Sequence, residues 1–212
     1  EILCLDLNGQ YNGNDGPFLG ENWYVIPSEE FPYEITTMDA DIIWKYDMLQ
    51  QLGMCPHDSP HASILIDGRY LYINTCNAVD YGHGQTDCLD APSLIVLDKN
   101  SGRLVAHDDE NFGPRIFHSS WSSPAMGVVN GKKLLFFAGG DGILYAFEAL
   151  DQSHESDKVQ LLKKVWQFDC DPNAPKENID SYLRNRDESP SNFLGMPVFH
   201  NNRIYVTVGG DI

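Results

Sequence analysis

Residues Trp121 to Phe147 read WSSPAMGVVNGKKLLFFAGGDGILYAF, and this stretch decides the fold. Ser123 to Val129 is a first β-run, ending at Asn130-Gly131. Asn-Gly favours a hairpin because both residues tolerate the positive φ of a type I′ turn. Lys133 to Ala138 is a second run, and Gly139-Gly140-Asp141-Gly142 turns the chain again. Ile143 to Phe147 is a third, its side chains alternating between two faces as a two-residue period requires. Lys164 to Asp169 (KVWQFD) supplies a fourth. Four antiparallel strands in a meander make one sheet. A lone sheet cannot cover both of its faces, so sheets like it must pack on each side.

The pattern recurs along the chain. HASILIDGRYLYINT (His61 to Thr75) is again strand, Asp-Gly turn, strand, and PSLIVLDKNSGRLVA (Pro92 to Ala106) continues it through an Asn-Ser-Gly turn. MPVFHNNRIYVTVGGD (Met196 to Asp211) repeats the first two strands and their turns. EILCLDL (Glu1 to Leu7) and IIWKYD (Ile42 to Asp47) match a third and a fourth strand. The first turns fall at Gly68, Gly131 and Asn202, a spacing that fits blades of roughly 40–50 residues plus insertions. The expected fold is therefore an all-β propeller of four-stranded antiparallel blades. Its parts are a half blade (1–47, interrupted by an insertion at 8–40), a blade (61–107), a blade (121–169) and a half blade (196–212), about three blades' worth. Propellers close with four or more blades, so the chain is expected to belong to a ring of about seven or eight. In that case the remainder would come from a longer polypeptide; alternatively, two copies would associate into a ring of six.

Composition agrees. The chain has 212 residues, 42% of them hydrophobic, with 18 Gly and 12 Pro, which suits a turn-rich β protein with a sizeable core. No apolar run is long enough to span a membrane. The net charge of −17 at pH 7 argues against nucleic acid and anionic lipid partners. The chain begins with Glu1 rather than Met, which fits a mature product or a fragment and is compatible with a removed targeting segment. The expected buried set comprises Ile64, Ile66, Tyr72, Ile95, Leu97, Phe136, Tyr145, Phe147, Val198, Ile204 and Val206, with Trp166 between sheets.

Candidate chemistry lies in the insertions and in the approaches to the innermost strands. DLNGQYNGNDG (Asp6 to Gly16) is dense in hard oxygen donors, with Asp6, Asn8, Asn12, Asn14 and Asp15 as calcium candidates. An ordinary Asn/Gly loop built from Asx-turns has the same composition. MCPHDSPHAS (Met54 to Ser63) precedes an innermost strand, which in a propeller places His57, Asp58 and His61 at the axial channel. A His–Asp pair there orients a general base or holds a metal; the same residues also suit the lining of a wet channel. FHSSWSS (Phe117 to Ser123) is the parallel stretch. It brings His118 and, as a stacking surface for a planar ligand, Trp121 with Ser122 and Ser123. Of the five cysteines, an odd count that leaves at least one thiol free, Cys76 and Cys88 lie in one insertion and are the candidate pair across it. No C-x-x-C occurs, which excludes a zinc ribbon and a redox dithiol. The polar insertions 150–163 and 171–192 read as surface excursions.

The repeats resemble the quinoprotein-type β-propeller, whose blades end strand–Asp–turn–Gly–strand with a tryptophan on the outer strand. LIVLDKNSGRLVA, LYAFEAL with KVWQFD, and LCLDL with IIWKYD carry the likeness, and Trp44 and Trp166 stand at the tryptophan position. In the middle blade Ala106-His107 replaces it. The chain is most similar to the pyrroloquinoline-quinone-like repeat proteins of planctomycete-type bacteria, through segments at Pro56, His118, Gly139, Trp166 and Met196. The resemblance implies that the tryptophans dock between blades and that the protein is exported, to the periplasm or outside the cell. It allows two functions. One is a binding or scaffold propeller for a protein or saccharide partner. The alternative is part of a quinoprotein dehydrogenase, with pyrroloquinoline quinone stacked in the channel and calcium on its carboxylates. Such dehydrogenases stack a disulfide of adjacent cysteines on the quinone, and no two cysteines are adjacent here.

Overall fold

The computed structural model describes residues 1–25, 33–56, 61–79, 88–116, 118–153, 157–182 and 191–210. Strand takes 38% of these residues and helix 11%. The first sheet pairs β1 (Ile2–Asp6) with β2 (Asp41–Tyr46), antiparallel. A short helix, α1 (Glu21–Val25), lies in the insertion between them. A second, α2 (Met48–Leu52), follows β2, and its N-cap Asp47 accepts the Gln50 amide. The second sheet is the meander β3 (Leu65–Asp67), β4 (Tyr70–Asn74), β5 (Leu94–Asp98) and β6 (Leu104–His107). The third begins with β7 (Ala125–Val129), β8 (Lys132–Ala138) and β9 (Ile143–Glu148). β10 (Gln160–Leu161) crosses back to the second sheet, and β11 (Lys164–Asp169) completes the third beside β9. β12 (Ser191–Asn192) precedes the hairpin β13 (Val198–His200) and β14 (Arg203–Tyr205), and pairs with β15 (Gly209–Gly210).

The turns form as their residues dictate. Asn130 and Gly131 have φ of 51° and 79°, and Asn201 and Asn202 have 49° and 57°. These are the paired left-handed values of a type I′ hairpin, whose twist matches that of the strands it joins. The central strands then pack on both faces. β4 and β5 are buried end to end, with alternate residues in two different cores. Tyr72, Leu94 and Val96 meet Leu135, Phe137 and Tyr145 of the third sheet. Leu71, Ile73, Ile95 and Leu97 meet Ile2, Trp44 and Tyr46 of the first. On the far face of the third sheet, Leu134, Phe136 and Ala146 meet Phe199 and Ile204 of the β13–β14 hairpin. The rings of Phe136 and Phe199 stack with centroids 5.7 Å apart. Antiparallel sheets stacked face to face in chain order form part of a β-propeller.

One tryptophan docks as expected and one does not. Trp44 is 3% exposed, its indole over Gly102 in the turn between β5 and β6. Gly102 has φ +69°, and a Cβ there would lie 2.5 Å from the ring, so glycine is required twice over. The indole N–H donates to the Lys99 carbonyl at 2.9 Å. Trp166, expected between sheets, is instead 37% exposed, with the Phe136 ring 6.0 Å away. The sheet beside it is the β13–β14 hairpin, and among the described residues no outer turn equivalent to that of Gly102 reaches the indole.

The same cause corrects the expected core. Tyr72, Ile95, Leu97, Phe136, Tyr145 and Phe147 are buried, whereas Ile64, Ile66 and Val198 are exposed and Ile204 and Val206 are half-buried. Ile66 pairs with Leu71 across β3 and β4. Facing it, the first sheet has two strands among the described residues, which cover Leu71 and leave Ile66 in solvent. The insertion at 150–163 is also more than a surface excursion. Its β10 adds in parallel to β6, so the second sheet has five strands, and Leu162 is buried against the core. Gln152 reaches back to Asp67 and Arg69.

The two tryptophans should differ sharply on truncation. Trp44→Ala is expected to cost about 3–5 kcal/mol, as for a fully buried aromatic. Trp166→Ala should cost no more than about 1–2 kcal/mol, because part of its ring is already in water. Urea titration of both variants checks this, and equal losses would contradict the docking geometry.

Candidate functional site

Each innermost strand, β3, β7 and β13, is preceded by a short irregular lead-in. Three successive lead-ins converge on one cleft of about 340 Å³, lined by His61, Trp121, Ser123 and Leu194. His61 comes before β3, Trp121 and Ser123 before β7, and Leu194 before β13. The convergence is built by buried amides. Asn74, at the end of β4, donates its Nδ2 to the carbonyls of Ser120 and Ser122, at 2.9 and 2.8 Å. Asn192 donates to the Ser119 carbonyl at 2.8 Å, and the Gly140 amide donates to Ser120 Oγ at 3.0 Å. Each bond satisfies a group that would otherwise be buried unpaired, at a cost of about 1–3 kcal/mol. The Ser63 amide donates to Ser123 Oγ at 2.7 Å and ties the second sheet's lead-in to the third's.

The cleft holds several of the residues expected at the axis. His118 stands edge-on to Trp121, with ring centroids 4.6 Å apart at 75°. This contact braces the indole, an arrangement worth about 0.5–1.5 kcal/mol. Ser122 is not in the lining: it is buried, and its hydroxyl donates to the Gly195 carbonyl at 2.9 Å. His57 and Asp58 lie outside the described residues. Leu194, Asn74 and Asn192 were not among the sequence candidates. Leu194 stands before β13 much as His61 does before β3, so alignment of the repeats was the available signal. For Asn74 the signal was a polar residue closing the apolar run YLYIN.

The disulfide is not the candidate pair Cys76–Cys88. Cys55 bonds Cys88, with Cα atoms 5.6 Å apart, and Cys76 is a free thiol. Asn77 explains the pairing. Its Oδ1 accepts the Cys55 amide at 3.0 Å and its Nδ2 donates to the Cys88 carbonyl at 2.8 Å, so one side chain holds both cysteine backbones. The Ala78 amide adds a bond to the Cys55 carbonyl. Cys76 has φ +59°, which turns its side chain inward. Burial pushes that thiol's pKa up, so it is a poor nucleophile.

The calcium candidates are also rearranged. Asp6 and Asp15 come together with Asp41, which was not a candidate, and one carboxylate oxygen from each lies within 4.8 Å of the others. These three could hold a hard cation such as calcium. Asn12 and Asn14 instead turn their amide nitrogens onto Asp15 and Glu21, and the backbone amide of Asn8 donates to Asp6. Buried Asp41 accepts Gln10 Nε2 at 3.2 Å and the Asp15 amide at 3.0 Å.

No family model and no curated protein matches the chain. Among solved structures it is similar to the quinohemoprotein alcohol dehydrogenase of Comamonas testosteroni, at 12% identity and a TM-score of 0.45. The match covers 73% of this chain and 18% of that one.

Two measurements test this site. Peptide mapping without reductant should recover the Cys55–Cys88 pair. Reduction should then lower stability by about 3–4 kcal/mol for a loop of this length, whereas Cys76→Ser should leave the pair intact. If calcium occupies the Asp6–Asp15–Asp41 cluster, chelation lowers the melting temperature and Asp41→Asn removes that response. Unchanged melting leaves the cluster as the hydrogen-bonded centre of its loop.

Proposed function

We propose that this chain is a binding module of a propeller, one that holds a ligand where its innermost lead-ins meet. The observation that carries this reading is the cleft at His61, Trp121, Ser123 and Leu194, with an indole braced by His118. Ligand sites tend to be concave, with apolar walls and a few placed polar groups, and loops on a rigid scaffold commonly carry them. In this proposal the module belongs to a larger ring, supplied by a longer polypeptide or another copy. The half-covered Trp166 and the uncovered Val198 and Tyr205 support that. Export is part of the same proposal and is favoured by the Cys55–Cys88 disulfide, a bond that persists in oxidising compartments.

The dehydrogenase reading fits less well. Pyrroloquinoline quinone is a tricarboxylate, and the described lining of the cleft holds neither Lys nor Arg to neutralise it. The disulfide joins residues 33 apart in sequence, not neighbours, so it has not the form that stacks on the quinone in those enzymes.

Mixing the protein with quinone and calcium, then desalting, discriminates between the two readings. The protein is expected to emerge without quinone absorbance. Retained quinone with a shifted spectrum would overturn the binding reading in favour of the dehydrogenase.

A further inference from the structure

The cleft's chemistry narrows what it accepts. Trp121 offers a flat, apolar, electron-rich face, held in place by His118. Such a face suits the C–H side of a pyranose ring, whose hydrogens carry slight positive charge. Around it stand groups that match hydroxyls. Ser123 Oγ accepts the Ser63 amide, and its hydroxyl carries a proton that a sugar oxygen can accept. The exposed imidazole of His61 presents one donor and one acceptor when neutral. Leu194, 71% exposed, forms an apolar second wall that a bound ring would cover.

Size and charge limit the choice further. The volume of about 340 Å³ is near the low end for ligand pockets, which run from about 300 to 1,000 Å³. It suits one or two sugar rings. The described lining has no cation, and the chain carries −17. Uronic and sulfated sugars would meet the chain's net negative charge with neither Lys nor Arg in the described lining to offset it.

We propose that the cleft binds a neutral saccharide of one or two pyranose rings, stacked on Trp121 and hydrogen-bonded by Ser123 and His61. This rests on the reading of the cleft as a ligand site.

The test follows the indole N–H of Trp121 by nuclear magnetic resonance, the signal being assigned by its loss in Trp121→Phe. Maltose, N,N′-diacetylchitobiose, digalacturonic acid and 1,4-naphthoquinone are titrated in turn. At least one neutral disaccharide is expected to shift the signal saturably, and digalacturonic acid is expected to bind at least about tenfold more weakly. Ser123→Ala, with its fold confirmed by circular dichroism, should weaken the disaccharide binding at least about threefold, and Trp121→Ala, which lacks the reporter and is followed by isothermal titration calorimetry, should lose it. If only naphthoquinone moves the signal, the saccharide is refuted while the cleft remains a ligand site. If digalacturonic acid binds best, the charge argument and the proposal fail together. If no probe moves it, both the saccharide and the binding reading fall.

Discussion

β4 and β5 have no solvent face. In Tyr70–Asn74 and Leu94–Asp98, odd and even residues point into separate cores, one shared with the first sheet and one with the third. A sheet apolar on both sides can be stable only between two others, because burying one face still leaves the other in water. The rest of the fold follows from that constraint. β8 and β9 meet it with the second sheet on one side and Phe199 and Ile204 on the other. Where the next sheet is only a hairpin, apolar residues such as Phe168 and Val198 remain exposed.

Sheets stacked in this way place their innermost lead-ins side by side, and the backbone of those lead-ins has no ladder of its own. Its carbonyls are met by the side chains of Asn74 and Asn192. The cleft is thus a consequence of packing: three segments, each tied to a neighbouring sheet, line one open depression. Trp121 can hold a fixed orientation there because the stack beneath it is rigid and His118 braces its ring.

The insertions use different physics. Asn77 brings Cys55 to Cys88 by holding both backbones, and Asp41 is drawn to the Asp6–Asp15 loop through Gln10 and the Asp15 amide. In each case a residue outside the obvious motif sets the geometry. β10 does the same for the insertion after β9, covering the outer edge of β6 and shielding its unpaired groups from other chains.

Local pattern was enough to read the strands. Alternation in LIVLD and ILYAF, and the turn residues Asn130-Gly131 and Asn201-Asn202, act within a few positions, so each hairpin and the blade-by-blade order were legible from residues alone. His61, His118, Trp121 and Ser123 could be placed near one another because repeats put equivalent positions at equivalent depths. The tertiary structure decided what depends on a neighbour. Trp44 and Trp166 occupy the same strand position, yet only Trp44 has a turn to dock on. Cys76 is closer in sequence to Cys88 than Cys55 is, but the pairing follows the Asn77 hydrogen bonds and the φ of Cys76. Ile66 alternates correctly and is still exposed, since burial is a property of the opposing surface, which a strand's own sequence does not contain.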